Sequence, residues 1–234
     1  MRIREFMQHT DKEYEAELDR LRQRLLFMGA EVERNFGTAI DALRQMNPML
    51  AQRVIEADKE IDALEVELDE LSLTILARRQ PVASDLRFIT STFRLVTDLE
   101  RSADMAVNIC ERVKELAALA QPIPTSRNLI YMGELAQGQM HDALDAFVTS
   151  NVHKAESVKQ RDAMVDSLYA QLFPELIAQM VGNPQRAEAA TRQQSIGKCI
   201  ERIADHATNI AETVIFMVQG RDVRHFHAEK ASTN

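Results

Sequence analysis

The feature that most constrains the fold is a helical segment that the chain contains twice. Residues 100–113 read ERSADMAVNICERV and residues 201–214 read ERIADHATNIAETV, with nine of fourteen positions identical and no gap. Ordinary composition would give roughly one chance match over such a length. Gly37 and Gly138 repeat at the same separation of 101 residues. The chain is therefore an internal duplication, and we expect two similar halves.

The segments between these landmarks have the pattern of long helices. Among 234 residues there are only seven Gly and six Pro, while 45% of residues are hydrophobic. Apolar residues recur at helical spacing from Thr10 to about Met46, from about Leu50 to Arg79 and from Ser84 to about Ala118. Three further helical patterns follow and repeat this order. The sequence predicts an all-α protein of two tandem antiparallel three-helix bundles, with an uninterrupted six-helix array as the alternative.

A stretch with two prolines, QPIPTS, divides the chain between the halves. Pro174 lies inside the fifth helical pattern and is expected to kink that helix or end it early. Asn183 and Pro184 are expected to begin the sixth helix, and Gly220 to cap its end. The predicted units are a first bundle (1–120), a linker (121–126), a second bundle (127–220) and a loose tail (221–234).

Oxygen-bearing side chains recur every four residues in both copies of the repeated segment. They are Glu100, Asp104 and Asn108 in the first copy, and Glu201, Asp205 and Asn209 in the second. At 3.6 residues per turn, this spacing places each set along one stripe of a helix. The preceding helix of each half carries a pair of aspartates, which are Asp58 with Asp62 and Asp162 with Asp166. If these helices pack antiparallel, four carboxylates share one region in each bundle.

Such a group of carboxylates needs compensation. Two like charges 4 Å apart repel by about 4 kcal/mol at an effective dielectric of 20, so the cluster must bind a cation, pair with arginine or hold protons. Arg101 and Arg202 follow the two glutamates and would supply the structural alternative, in which the acids are salt-bridged. Oxygen ligands suit magnesium, manganese or calcium, and bridging carboxylates admit iron, whereas zinc prefers His or Cys. Two metal sites are the hypothesis that follows.

Composition argues against several functional classes. The net charge of −8 and the pI of about 5.3 give no basic footprint for nucleic acid. No apolar run of about 18 residues could span a bilayer, and the charged start is unlike a signal peptide, so a cytoplasmic location is expected. Cys110 and Cys199 are expected to be reduced and buried. There is no glycine-rich phosphate loop and no His three residues after a Glu, which argues against an ATPase or a di-iron enzyme.

Three runs of sequence resemble the PhoU family of phosphate-regulon proteins. They are RRQPVASDLR at 78–87, LERSADMAVNI at 99–109 and IERIADHATNI at 200–210. The resemblance covers roughly residues 10–225 and implies a cytoplasmic, often dimeric protein of two three-helix bundles. It implies a regulator without chemistry of its own that represses the phosphate-starvation response. It further implies coupling of the high-affinity phosphate ABC transporter, through its ATPase subunit, to the membrane sensor histidine kinase.

The resemblance also bears on the acidic residues, because E/DxxxD motifs in this family bind metal ions. It implies one site of Asp58, Asp62, Glu100 and Asp104, and a second of Asp162, Asp166, Glu201 and Asp205. Relatives commonly have Asp where this chain has Asn108 and Asn209, and an amide oxygen can bind a hard cation but adds no charge. Magnesium, manganese or iron is favoured over zinc. The alternative function is a carboxylate-bridged helical protein with redox or metal-storage activity, which oxygen-dependent turnover would support.

Overall fold

The computed structural model describes residues 2–119, 123–181 and 183–223, with the backbone alone for residues 2–11. Within these ranges the chain forms long α-helices and one short 3₁₀ helix. They are α1 (Arg2–Gln45), α2 (Pro48–Arg79), α3 (Ala83–Ala118), α4 (Arg127–Thr149), α5 (Val152–Val181), the 3₁₀ helix (Pro184–Arg186) and α6 (Ala187–Gln219). The described residues contain no β-strand, and the predicted all-α class is confirmed.

Local signals in the sequence set several of the helix ends. Asn47 precedes α2, and its side-chain oxygen accepts hydrogen bonds from the backbone N–H groups of Met49 and Leu50. Pro48, the first residue of the helix, has no N–H and therefore leaves no donor unpaired there. Ser126 caps α4 in the same way through the N–H of Leu129. Gly220 ends α6 with a φ of +68°, a left-handed conformation that glycine adopts without strain.

Three predicted helix boundaries are wrong. Helix α1 begins at Arg2 and not at Thr10, because the preceding residues are compatible with a helix and Thr10 does not interrupt it. The expected early end of α5 is wrong, and the alternative of a kink stays a prediction: the helix continues through Pro174 to Val181, since Leu172 and Leu176 are buried on either side of the proline. Pro184 begins a 3₁₀ helix, and α6 begins three residues later.

The helices pack as two bundles, α1 with α2 and α3, and α4 with α5 and α6. The large side chains at the centre of the first bundle are almost fully buried, among them Leu21, Met28, Phe36, Ile61, Leu64 and Leu99. The second bundle is filled by Met132, Met140, Val165, Ile196, Ile200 and Ile203. Each large apolar side chain removed from water contributes roughly 1.5–3 kcal/mol before chain entropy is subtracted. The apolar stripes that predicted the helices are thus their packed faces.

The two bundles also pack on each other along a seam, where α3 contacts α6 and α1 contacts α4. In the α1–α4 contact the backbones approach closely, and a Cβ on Gly133 would lie 2.6 Å from Cδ1 of Ile40. In the α3–α6 contact, Nδ1 of His206 lies 2.9 Å from Oδ1 of Asp98. Helices α2 and α5 touch no helix of the other bundle in the described chain, so each lies on the outside of its own bundle.

The predicted domain limits remain predictions, because part of the linker and the tail from residue 224 onward lie outside the described residues. The last described residue, Val223, is buried, and Lys159 donates a hydrogen bond to its carbonyl oxygen. Cys110 and Cys199 are both buried free thiols, as expected. Among the described helices, none has a stretch apolar and long enough to cross a bilayer.

Candidate functional site: two carboxylate clusters

The first acidic group lies where α2 packs against α3. The charges of Asp62, on the same helix, and of Asp104 on α3 act on Asp58 of α2 and raise the pKa of its carboxyl group. Glu100 hydrogen-bonds Asp104 through its side chain and also feels Glu65 of α2. The spacing argument therefore leads to residues that the packing of α2 on α3 does bring close together.

Two further acids on α2 were missed in the sequence. Glu65 interacts with the charges of Asp69, Asp62 and Asp104, so the acidic stripe continues one and two turns beyond Asp62. The signal was available, because these residues follow Asp58 at spacings of seven and eleven, which return to the same face of a helix. We call the following residues the first carboxylate cluster: Asp58, Asp62, Glu65, Asp69, Glu100 and Asp104.

Three acids of the first cluster, Asp58, Glu65 and Glu100, have raised pKa values. Burial, followed by the charges of Asp62 and Asp104, raises the pKa of Asp58 to about 6. Burial and the neighbouring Asp104 raise the pKa of Glu100 to about 7, although Arg101 opposes the shift. No member of the cluster forms an ion pair within the described chain. Near neutral pH, Asp58 and Glu100 are thus partly protonated, and Arg101 is a nearby positive charge that no described ion pair ties to the cluster.

The second acidic group lies at the equivalent place, where α5 packs against α6. Burial, then the charges of Glu201 and Asp162, raise the pKa of Asp205 to about 6. The pKa of Asp162 is also raised by burial, by Asp166 and by Glu201, with a smaller contribution from Glu212. Glu212 was not anticipated from the ladder spacing. We call the following residues the second carboxylate cluster: Asp162, Asp166, Glu201, Asp205 and Glu212.

Two lysines belong to the second cluster, and neither was anticipated. Nζ of Lys198 lies 2.5 Å from Oε2 of Glu201, and the charge of the same ammonium partly opposes the rise in the pKa of Asp205. Nζ of Lys159 lies 2.8 Å from Oε1 of Glu212, and the two side chains are only 16% and 10% exposed. The spacing of Lys198 and Glu201, three residues apart on one helix, is a signal that could have identified the first pair.

The asparagines that follow the two ladders are placed differently from each other. Nδ2 of Asn108 donates to the backbone oxygen of Asp104 at 2.9 Å, so it stays beside the first cluster. Nδ2 of Asn209 donates at 3.2 Å to Asp98, across the seam. His206 also contacts Asp98, so this histidine points away from the ladder. Asn209 is therefore oriented toward the other bundle rather than toward the second cluster.

The donor chemistry of both clusters fits a hard cation. All their candidate ligands are carboxylate oxygens, which suit magnesium, manganese or iron(III). Oδ1 of Asp162 is buried with at most a weak hydrogen bond from the Thr208 hydroxyl, and a cation or a water molecule would satisfy it better. As the side chains are placed, no three His, Cys, Asp or Glu residues of the described ranges lie near enough to hold one ion. Binding would therefore require rotation of these side chains.

Comparison with known proteins agrees with the duplicated architecture. The PhoU domain matches the chain twice, at residues 25–113 and 129–214. The chain belongs to the PhoU family. Each of the two matched ranges contains one copy of the acidic ladder, so the PhoU domain corresponds to one three-helix bundle with one carboxylate cluster.

Relatives from other bacteria resemble the chain over most of its length. It is 37% identical over 212 residues to the phosphate-specific transport system accessory protein PhoU homolog of Rhizobium meliloti, covering 91% of this chain and 90% of the relative. It is 39% identical over 217 residues to the homolog of the same name in Pseudomonas aeruginosa, covering 93% and 90%. The crystal structure of PhoU from Pseudomonas aeruginosa superposes with a TM-score of 0.86 at 38% identity, over 89% of this chain and 100% of that one.

Proposed function

We propose that this PhoU-family protein is a non-enzymatic cytoplasmic regulator of phosphate uptake and signalling. It couples the high-affinity phosphate ABC transporter, through the ATPase subunit, to the phosphate sensor histidine kinase. When phosphate is plentiful it represses the phosphate-starvation regulon. The observation that carries the proposal is the similarity across both bundles to relatives named as accessory proteins of the phosphate-specific transport system.

In this proposal the carboxylate clusters bind divalent or trivalent metal ions, with magnesium, manganese or iron favoured over zinc. Asp58, Asp62, Glu100 and Asp104 would hold an ion in the first bundle, and their counterparts Asp162, Asp166, Glu201 and Asp205 would do so in the second. A bound cation supplies the positive charge that compensates the carboxylates. Without it the side chains repel one another and retain protons, so the shape of the α2–α3 and α5–α6 surfaces depends on the ion.

We also propose that the protein acts as a homodimer and reaches the membrane only through its partners. The mass of the protein in solution tests the dimer. Light scattering coupled to size-exclusion chromatography should give twice the 26.6 kDa of one chain at micromolar concentration. A mass of one chain at all concentrations would contradict the dimer and leave the regulatory proposal standing.

The first experiment is a direct binding measurement. The purified full-length protein is titrated against the cytoplasmic part of the sensor kinase and against the transporter ATPase of the same organism, once with manganese and once with excess chelator. Saturable binding to both partners is expected, and weaker binding in chelator would connect it to the clusters. Absence of binding to either partner in every metal condition would overturn the proposal, and oxygen-dependent iron turnover would then favour the metalloenzyme alternative.

A genetic test addresses the role of the clusters in the cell. The double variant Asp104→Ala with Asp205→Ala removes one exposed ligand from each cluster. It should derepress a phosphate-starvation reporter in high phosphate. The matched control, Asp19→Ala with Asp41→Ala, removes two exposed aspartates of α1 and should repress normally. Normal repression by the cluster variant, with the protein at wild-type abundance, would mean that the ladders have a structural role alone.

A further inference from the structure

The duplication allows each residue of one carboxylate cluster to be compared with its counterpart in the other. Residues of α6 correspond to residues of α3 at a separation of 101, and residues of α5 correspond to residues of α2 at a separation of 104. The four aspartates and glutamates of each ladder pair correspond at these separations without exception. Of the residues around them, Arg101, Asn108 and Glu111 also correspond, to Arg202, Asn209 and Glu212, but several others differ in charge.

The second cluster contains two lysines where the first contains neutral residues. Lys198 corresponds to Thr97, and Lys159 corresponds to Ile55. Conversely, two acids of the first cluster are replaced by aromatic residues in the second, since Tyr169 and Phe173 stand at the positions of Glu65 and Asp69. The first cluster therefore has six carboxyl groups and no lysine partner within the described chain, while the second has five carboxyl groups and two lysines. Of those five, Glu212 has its counterpart, Glu111, outside the first cluster, where it pairs with Arg112.

The two lysines are in direct contact with the acids. The ammonium of Lys198 lies 2.5 Å from Glu201 and packs over the ring of Tyr169, 5.5 Å from its centroid. The aromatic residue that replaces an acid thus also helps to hold the lysine. The ammonium of Lys159 lies 2.8 Å from Glu212 in a pair that is almost buried. Lys198 therefore places a positive charge beside Glu201 and Asp205, two of the acids that would hold a metal ion, and Lys159 places one beside Glu212.

We infer that the two clusters are unequal cation sites, and that Lys198 acts as a built-in cation that makes the second cluster the weaker one, while Lys159 neutralises Glu212 beside it. A divalent ion entering the second cluster must displace the ammonium of Lys198 from Glu201 or share that carboxylate with it. In the first cluster no described carboxyl group forms an ion pair, although the charge of Arg101 acts on Glu100. The first cluster fills first as the metal concentration rises. This inference rests on the metal binding proposed above.

The expected difference in manganese affinity between the two clusters follows from the charge of Lys198, which solvent partly screens. The side chain of Lys198 is 50% exposed, so its effect on an incoming ion is far below that of a buried charge. Removing it should tighten manganese binding to the second cluster by about tenfold. Introducing an ammonium at the matching place in the first cluster should weaken binding there by about the same factor.

The duplication supplies the test variants. Lys198→Thr gives the second cluster the residue of the first, and Thr97→Lys gives the first cluster the residue of the second. Both positions are exposed, so neither change disturbs the core. Manganese binding to the chelator-stripped, full-length protein is measured by calorimetry and by loss of the free-ion signal in electron paramagnetic resonance. Asp104→Ala and Asp205→Ala, made separately, assign each binding event to one cluster.

The wild-type protein should bind manganese in a tight and a weak step, with the tight step lost in Asp104→Ala and the weak step lost in Asp205→Ala. Lys198→Thr should strengthen the weak step, and Thr97→Lys should weaken the tight one. Equal affinities, the reverse assignment, affinities unaffected by the two exchanges, or no manganese binding would each overturn the inference. Circular dichroism of each variant confirms that the helices are intact, so that a change in affinity is not a loss of fold.

Failure of this inference and failure of the proposed function give different results. A protein that binds manganese in the stated order but binds neither kinase nor transporter ATPase contradicts the regulatory function and leaves the inequality intact. A protein that binds both partners but shows two equal manganese sites contradicts the inequality alone. Binding of partners can then be compared at manganese concentrations that fill one cluster or both.

Discussion

Two glycines on α4, one turn and a residue apart, should respond in opposite ways to the same substitution. Gly133 lies in the seam, where an added Cβ would meet Ile40 at 2.6 Å (Cδ1), 3.1 Å (Cγ1) and 3.3 Å (Cγ2). Gly138 lies on the same helix with no atom within 4 Å of an added Cβ. Substitution of each glycine by alanine adds only a methyl group, and so tests whether α1 and α4 pack as closely as these distances indicate.

The magnitudes follow from two opposing effects. Within a helix, Gly→Ala stabilises by about 1 kcal/mol because the unfolded chain loses freedom and the helix propensity rises. Gly138→Ala should show this gain alone. In Gly133→Ala the methyl group overpacks against Ile40, which is 1% exposed and has little room to move, at a cost of roughly 1–3 kcal/mol. The two variants should therefore differ in unfolding free energy by about 1–3 kcal/mol, with Gly133→Ala the less stable.

Urea unfolding at 25 °C, followed by far-ultraviolet circular dichroism, measures both free energies, and equal m-values show that the unfolded states are comparable. Ile40→Val removes the nearest carbon, so Gly133→Ala should cost less in that background than in the wild type. If Gly133→Ala proves as stabilising as Gly138→Ala, the close approach of α1 and α4 is refuted. An unchanged cost in the Ile40→Val background would place the strain elsewhere.

Three further outcomes are expected. In chelator, the unfolding free energy should fall by about 1–3 kcal/mol as the pH rises from about 4.5 to 7.5. The raised pKa values of Asp58 and Glu100 mean that the folded state binds more protons than the unfolded state in this pH range. Urea midpoints that rise with pH would contradict this. Lys159→Met should cost about 2–4 kcal/mol by leaving Glu212 buried and unpaired, and adding Glu212→Gln should recover part of it. Ser126→Ala should cost about 1 kcal/mol in a thermal melt by removing the cap of α4, whereas no change would make the cap redundant.

The fold was predictable because its information is local and repeated. Apolar residues at helical spacing, few breakers and a duplicated segment were sufficient to predict six helices in two bundles. The ends of helices were less predictable, since Pro174 remains inside α5 where packing outweighs its unfavourable geometry. A single sequence contains the cost of a proline in a helix but not the buried contacts that offset it.

For the acidic residues as well, positions along one helix were predictable from the sequence, whereas contacts between helices were not. Spacing along one helix placed Glu100 and Asp104 on one stripe, and antiparallel packing then brought Asp58 near them. The partners of these acids depend on how helices cross, which spacing does not determine. That is why Lys159, held against Glu212 of another helix, and Asn209, turned toward the other bundle, were not anticipated.

The seam gives a reason why the two halves need not behave alike, even though their backbones are copies. Asp98 and His206 meet across it, with side chains only 14% and 13% exposed. Their counterparts in the duplication are Cys199 and Met105, which cannot form the same polar pair. The seam is therefore polar where Asp98 meets His206 and less polar at the equivalent place, around Cys199 and Met105, so the two bundles lie in different surroundings. Unequal metal loading of the two clusters would add a second difference between the bundles to the one buried in this seam.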